Sequence, residues 1–296
     1  MSQTLPETLD EFDDEQRHAL ETLMVRMADD EFVIAERYTE WQVRAPSLES
    51  DLALSNIAQD ELGHARLWYD VLDDLGYEET DLLYERDPTD FRHATLCELP
   101  FAEGDWADAI VRSYLYDVAE ELRLAALGDS AYQVIAHRVP KISQEEAYHR
   151  QHAETWLARL AEDGEGVDRL QGAIDRLFAH ALTLFEPATP PTLGRHDGVP
   201  GAAETEAVIV ESGLRPVTLE ELANEWLDIV TSTLAGYDLT VPLADTMITE
   251  RDLPAVTGRS GEHTDDWFDL YDEFTFTYRD LGRTHTERIM PKPEDD

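Results

Sequence analysis

Apolar residues recur at intervals of three and four along most of this chain, which is the spacing of one face of an α-helix. The four long helices that this pattern predicts span about 16–42, 48–75, 104–127 and 129–161. A shorter amphipathic stretch follows at about 167–185. The polar segment at 87–106 lacks the helical spacing and is predicted to be mostly loop.

The pattern changes after the fifth stretch. Residues 187–216 are rich in proline, glycine and threonine, and they are predicted to form a long connection rather than a helix or strand. Two more helices are expected beyond it. One begins at a capping box of Thr218 and Glu221, and the other begins near Thr264, with two aspartates in its first turn.

No segment of linker composition divides these helices into separate domains. The sequence therefore predicts an all-α fold with one helical domain over residues 16–285. The acidic segment 1–15 and the tail 286–296 are predicted to be disordered. No apolar run approaches the roughly 18 residues of a membrane span, and the N-terminal segment lacks the apolar core of a secretory signal, so a cytoplasmic location is expected.

The chain is strongly acidic. Its 65 acidic residues against 23 basic ones give a net charge of −42, and Lys141 and Lys292 are its two lysines. Such a surface repels nucleic-acid phosphates and anionic lipids, so neither nucleic acid nor a membrane is an expected partner. The single cysteine, Cys97, excludes a disulfide framework and a metal site built from cysteines.

The charge also predicts stability that depends on salt. Repulsion between the acidic groups destabilises the compact state in dilute buffer, and at about 1 M salt a Debye length of roughly 3 Å screens most of it. We interpret the composition as halophilic, with an ordinary acidic protein or a basic partner as the alternative. The melting temperature, followed by circular dichroism, should rise steeply between about 0.1 M and 2 M KCl. A flat response would contradict the halophilic interpretation.

Two predicted helices carry the same tetrad, Glu-x-x-His. Glu61 and His64 form it in the second helix, and Glu146 and His149 form it in the fourth. Residues three apart project from one side of a helix, so both side chains can reach one metal ion. A single tetrad arises readily by chance in an acid-rich chain. Both tetrads, however, lie within apolar stripes, where an unpaired carboxylate or imidazole is costly to bury.

The helix before each tetrad has its own acid in its apolar stripe. Glu31 precedes Glu61 by about the same interval as Asp117 precedes Glu146, and a predicted turn lies midway in each case. Residues equidistant from the turn of an antiparallel pair lie at one level, so two such hairpins collect four carboxylates and two imidazoles. The predicted metal ligands are Glu31, Glu61, His64, Asp117, Glu146 and His149. A polar core without metal is the alternative.

An acid immediately precedes each motif glutamate, Asp60 in one helix and Glu145 in the other. Each can accept the free ring N–H of the other hairpin's histidine, a contact that ligating imidazoles usually make; chance explains these two acids nearly as well. Oxygen-rich ligands with one imidazole per metal and no thiolate favour two iron ions, with manganese as the alternative. The arrangement matches a ferritin-like four-helix bundle with a di-iron site, extended by the C-terminal helices.

The stretch EWQVRAPSLESDLALSNIAQDELGHARLWYDVL, residues 40–72, resembles the A and C subunits of the phenylacetyl-CoA epoxidase family, which are ferritin-like proteins. The resemblance extends from about residue 20 to residue 280. The segments that resemble the C subunit in particular are 85–117, 156–160, 172–178 and 261–264.

This resemblance implies a component of a multisubunit oxygenase that converts phenylacetyl-CoA to its ring 1,2-epoxide in phenylacetate catabolism. The implied partners are a reductase with flavin and an iron–sulfur cluster, a second ferritin-like subunit, and the acyl-CoA substrate. In the family, the A subunit has the working di-iron site, whereas familiar C subunits support it and have lost most ligands. The present chain resembles the C subunit in outline yet retains all six ligand-type residues. Family likeness also makes His263 and Thr264 candidate acyl-CoA contacts, although a helix N-cap equally explains Thr264.

Three functions remain open at this point. The chain could be a metal-binding component of the oxygenase, a non-catalytic structural subunit of the same complex, or another ferritin-like di-iron oxidase such as a ferroxidase. Ferroxidases are usually shorter bundles, so the connection at 187–216 and the C-terminal helices argue against the third function.

Overall fold

The computed structural model describes residues 9, 12–42, 44–101, 104–193, 200–243 and 252–282. In this part of the chain, the elements are α-helices and short 3-10 turns, without a β-strand, which confirms the predicted all-α class. The α-helices are α1 (Asp14–Thr39), α2 (Leu48–Asp73), α3 (Glu79–Leu83), α4 (Thr95–Glu98), α5 (Trp106–Gly128), α6 (Gln133–Ala136), α7 (Val139–Leu160), α8 (Gly164–Leu182), α9 (Ala202–Glu211), α10 (Leu219–Ala235) and α11 (Asp265–Asp280).

Four long helices form the central bundle, in which α1 packs against α2 and α5 packs against α7. Polar N-caps start three of them. Asp13 accepts a hydrogen bond from the backbone N–H of Gln16 at the start of α1, while Ser47 and Asp105 cap α2 and α5. The apolar stripes then face inward, and the predicted ferritin-like bundle of two hairpins is confirmed.

The helices that follow the bundle pack against its outside. Trp226 of α10 is completely buried, and its indole N–H donates to the carbonyl of Leu115 in α5 over 2.9 Å. Trp267 of α11 is also buried and donates to the carbonyl of Pro88 over 3.0 Å. Both rings thus combine a large apolar contact with a satisfied N–H. The predicted additional C-terminal helices are therefore part of the same core.

The predicted fourth helix, 129–161, is wrong at its beginning. The long helix α7 starts at Val139, and the separate short α6 precedes it. Pro140 lies in the first turn of α7, where its missing N–H costs no helical hydrogen bond. In the interior of one continuous helix, the same proline would clash with the preceding turn, so the chain ends one helix and begins another.

The predicted connection 187–216 is also partly wrong, because it contains α9. This helix lies against α1 and buries Thr205 and Ile209. Its own sequence, AAETEAVIVE, favours a helix, but the proline and glycine residues on both sides obscure that signal.

The polar segment 87–106 is mostly irregular, as predicted, yet residues 91–98 are all buried. Two consecutive acids of α1, Asp29 and Asp30, accept hydrogen bonds from backbone N–H groups of this segment. Charged side chains inside the protein therefore replace the water that a loop normally needs.

At the N-terminus, α1 begins at Asp14, slightly before the predicted start of the first helix at about residue 16, and Phe12 is buried. Residues 1–8 and the predicted tail 286–296 lie outside the described residues. None of the described helices combines the length and the apolarity needed to cross a membrane. The cytoplasmic location and the adaptation to salt stay predictions.

Candidate metal centre

The bundle brings all six predicted ligands together in its interior. The two tetrads face one another from α2 and α7, while α1 contributes one acid and α5 another. None of the six residues is more than 3% exposed. They are Glu31, Glu61, His64, Asp117, Glu146 and His149.

Two glutamates lie between the two histidines. Glu146 Oε1 is 3.2 Å from Nδ1 of His64 and 3.1 Å from Nδ1 of His149. Glu61 Oε2 is 3.8 Å from the first of these nitrogens, and its Oε1 is 3.5 Å from the second. Each glutamate therefore contacts both imidazoles, so each could serve as a ligand shared by two metal ions.

The other two acids each belong to one side of the cluster. Glu31 Oε2 lies 3.7 Å from Nδ1 of His64, and the ligand atoms of Glu31, Glu61, His64 and Glu146 all lie within 4.8 Å of one another. Asp117 is outside that tightest group, but its electrostatic neighbours include Glu146 and His149. The cluster thus has two halves, each with one histidine and one acid of its own.

The outer nitrogens of the histidines contact the acids that precede the motif glutamates. His64 Nε2 is 2.9 Å from Oε2 of Glu145, and His149 Nε2 is 3.3 Å from Oδ2 of Asp60. Both contacts cross from one hairpin to the other. Nε2 of each ring therefore donates to a carboxylate oxygen, and Nδ1 faces the cluster. Nδ1 is then the nitrogen that a metal ion would bind, in place of any proton it holds.

The unsatisfied atoms of the cluster test whether metal ions fit here. Both carboxylate oxygens of Glu31, Glu61 and Glu146 are buried without a hydrogen-bond partner, as are one oxygen of Asp117 and Nδ1 of both histidines. So many converging acceptors are costly to bury unless cations neutralise them. Four carboxylates and two imidazoles suit two divalent ions of the iron or manganese type.

The pKa shifts of the cluster residues also favour a cation site. Burial raises the pKa of Glu31 and of Asp117 well above their ordinary values, and the neighbouring carboxylates add to the effect. Burial alone would lower the pKa of His149, but the adjacent Glu146 outweighs it and raises that pKa well above its usual range. The metal-free cluster therefore retains protons, which divalent cations would displace on binding.

Other buried acids near the cluster have arginine partners. Asp30 lies 2.6 Å from both Arg123 and Arg259, and Glu120 pairs with Arg123 as well. Sequence reasoning missed Asp30 and Glu120. Glu121, the neighbour of Glu120 on α5, has different surroundings. The structure leaves the Glu121 side chain 58% exposed, in a pair with Arg150. Among the described residues, the four predicted carboxylate ligands differ from these acids in forming no ion pair with an arginine.

A family of known proteins matches nearly the whole length of this chain. Residues 1–284 match the model of the family described as phenylacetic acid catabolic protein. The chain belongs to this family.

Two similar proteins come from Escherichia coli (strain K12). The C subunit of 1,2-phenylacetyl-CoA epoxidase is 34% identical over 168 residues, which cover 55% of this chain and 66% of the relative. The A subunit of the same enzyme is 27% identical over 206 residues, which cover 69% of this chain and 62% of the relative. The matched regions therefore span less than two thirds of either relative.

A second buried cluster, formed by Glu98, His93 and His263, differs from the metal centre because hydrogen bonds join its members. Glu98 Oε2 lies 2.6 Å from Nε2 of His93 and 2.9 Å from Nδ1 of His263, and its Oε1 accepts from the backbone N–H of Thr264 over 2.9 Å. These are direct hydrogen bonds, and they fasten the start of α11 to α4. Because the His263 side chain is fully buried in these contacts, its position does not support the acyl-CoA contact expected from family likeness.

A cleft of about 430 Å³ opens between α5 and α7 and includes Glu146 in its lining. Arg150 lies in the same cleft, where it pairs with Glu121 and Glu154. The cleft therefore reaches one of the predicted ligands from the surface.

Proposed function

We propose that this chain is a metal-binding subunit of a multicomponent di-iron oxygenase that acts on an aryl-acyl-CoA. The proposed reaction is the ring 1,2-epoxidation of phenylacetyl-CoA in phenylacetate catabolism. The convergence of buried, unpartnered carboxylate and imidazole atoms carries the metal part of the proposal. Family membership, and two relatives named as subunits of 1,2-phenylacetyl-CoA epoxidase, support the reaction class.

The geometry supports a division of roles among the ligands. One ion would be held by Glu31 and His64 and the other by Asp117 and His149, with Glu61 and Glu146 shared between them. Bound iron would supply the redox chemistry with dioxygen, and manganese is the alternative metal.

Other residues of the chain orient the ligands and exclude water. Glu145 and Asp60 hold the imidazole rings in orientation through their Nε2 atoms. Ile57 and Trp68 of α2 and Ile142 of α7 are buried on the same stripes as the ligands, and they keep bulk water away from the cluster.

The proposal includes the partners that such an oxygenase requires. They are a reductase with flavin and an iron–sulfur cluster that supplies electrons, a second ferritin-like subunit, and the acyl-CoA substrate. A cytoplasmic location belongs to the same proposal.

A non-catalytic structural role in the same complex is the second candidate. The observation that favours it is the 34% identity to the C subunit of the epoxidase, against 27% to the A subunit. In that case the metal ions would stabilise the bundle, because their binding free energy contributes to folding.

One experiment separates the two candidates. The complex is reconstituted with Glu61→Ala in this chain alone, and the oxygenation of an aryl-acetyl-CoA is measured. Loss of turnover with the assembly intact by size-exclusion chromatography is the result expected if this centre is catalytic. Glu121→Ala, on the exposed side of α5, is the matched control and should retain turnover. Unchanged turnover in Glu61→Ala would assign catalysis to the partner, and dissociation of the complex would assign a structural role to the metal.

A further inference from the structure

The outer face of α2 and α7 differs from the rest of this acidic protein. Along α7, Glu154 is the one acid between 141 and 159 whose side chain is more than 40% exposed, and it pairs with Arg150. Glu49 is the one exposed acid of α2 before Asp70. We define the α2–α7 face by its larger exposed, uncharged residues. They are Leu48, Leu52, Asn56, Gln59, Gln144, Tyr148, Gln151 and Thr155.

Other helices at the surface follow the overall composition. In its first ten residues α10 exposes four acids, and α11 exposes five along its length. The exposed acids of these two helices are Glu220, Glu221, Glu225, Asp228, Asp265, Asp269, Asp272, Glu273 and Asp280. In a chain with 65 acidic residues, a face with so few exposed acids is a local exception, and interface centres are depleted of charged residues in the same way.

The α2–α7 face also presents large apolar groups to solvent. Leu48 is 68% exposed, Leu52 is 56% exposed and Tyr148 is 46% exposed. Covering apolar surface stabilises a complex by about 25 cal/mol per Å². About 18 residues of two adjacent helices make a face roughly 27 Å long and 20 Å wide. The area of this face is of the same order as the buried surface that each partner contributes to a stable interface, about 800 Å².

An acidic notch lies within this face. A cleft of about 330 Å³ is lined by polar residues of both helices, among them Asp60 and Glu145, and no described lysine or arginine lines it. The two acidic side chains are 36% and 33% exposed. Each carboxylate contacts a histidine of the metal centre with one oxygen, and the side chain reaches the surface here. Two carboxylates in one cleft without a base suit a basic side chain supplied from outside.

We infer that the α2–α7 face is the docking surface for the second ferritin-like subunit, and that a basic side chain of that partner enters the notch between Asp60 and Glu145. The identity of the partner rests on the proposed function. A partner that covers a surface removes water from the carboxylates there, which is unfavourable. A strongly acidic chain therefore binds another protein best where its exposed acids are sparse, and the α2–α7 face is such a region. Because the notch acids orient His64 and His149, docking of the partner would act directly on the metal centre.

The test uses this chain co-expressed with the A-type ferritin-like chain of the same organism, analysed by size-exclusion chromatography with light scattering in 2 M KCl. Leu52→Glu and Tyr148→Glu should each weaken the complex at least 100-fold in Kd. Gln59→Lys, which places a base of this chain in the notch, should weaken it as well. Phe276→Glu, at an exposed aromatic residue of α11 (64% exposed), is the matched control and should leave Kd unchanged.

Iron content and circular dichroism of each variant show whether the bundle remains folded and loaded. Failure of the unmodified chain to bind the partner, or full binding by Leu52→Glu, would overturn the inference. Self-association of the unmodified chain that Leu52→Glu abolishes would also overturn it, since a second copy would then occupy the face. Absence of iron from a chain that still forms the complex would count against the proposed function and leave the docking surface standing.

Discussion

Replacing Glu146 by alanine is expected to remove both metal ions from this chain. Its Oε1 lies 3.2 Å from Nδ1 of one histidine and 3.1 Å from Nδ1 of the other, so the substitution takes a ligand from both halves of the cluster. After anaerobic loading with iron(II) and gel filtration, metal analysis should give well below one iron per chain, against two in the unmodified protein. His64→Ala removes a ligand from one half and should lower the content less.

Two matched controls accompany these variants. Glu121 lies on α5, the helix that packs against the helix of Glu146, and it pairs with Arg150 at the surface. His137 is an exposed histidine next to α6. Glu121→Ala and His137→Ala should retain the full iron content. Equal iron in all four variants would show that the cluster is not a metal site. Zinc in place of iron or manganese, after expression with iron supplied, would exclude the oxygenase proposal but not the fold.

Replacing Arg259 by methionine is expected to destabilise the protein by about 3 kcal/mol, at the lower end of the cost of breaking a buried ion pair, because Arg123 still contacts Asp30. Asp30 and Arg259 are 0% and 1% exposed and are joined by contacts of 2.6 and 3.0 Å. Asp30 directly precedes Glu31, so the loss also loosens the region that holds a predicted ligand. The free energy of unfolding is measured by urea titration in 2 M KCl.

The pH dependence of this variant has a defined sign. Burial opposes the ionisation of Asp30, but Arg259 and Arg123 outweigh it and lower its pKa to about 2. A lowered folded-state pKa stabilises the protein above the unfolded value of 3.8, and this stability is lost as the pH falls toward 2. Arg259→Met should therefore reduce the difference in stability between pH 6 and pH 3.

Two further variants decide whether the ion pair is responsible. The double variant Asp30→Asn with Arg259→Met should lose less stability than the sum of the single variants, since it removes both charges of the pair together. Arg279→Met removes a pair with Asp272 whose side chains are 50% and 77% exposed, and such surface pairs contribute about 0–1 kcal/mol. Equal losses for Arg259→Met and Arg279→Met would contradict the account.

The hairpins and the two tetrads could be predicted from the sequence because their signals are local. Helical spacing places Glu61 and His64 on one side, and distance from the turn sets Glu31 level with Glu61. The neighbouring acid on α5 was harder to predict. This helix is buried around most of its circumference, so the apolar spacing does not distinguish Glu120 from Glu121, although they point about 100° apart.

Longer-range features gave no local signal. Arg259 lies in a short 3-10 turn near the C-terminus and reaches Asp30 at the other end of the chain, and no periodicity connects these positions. The role of His263 depends in the same way on Glu98, which is in a segment predicted as a polar loop. Only the folded arrangement shows that this segment is buried and that its charged residues are paired inside the protein.

Two metal ions are expected to bind in the interior of the bundle, between α2 and α7. The most direct test is the anomalous scattering of crystals loaded with iron(II) without oxygen, measured at the iron absorption edge. The account predicts two peaks about 3.5–4 Å apart, one beside Nδ1 of His64 and the other beside Nδ1 of His149, with Glu61 and Glu146 between them. Absence of peaks at these positions, or a single peak at His93 and His263 instead, would contradict it.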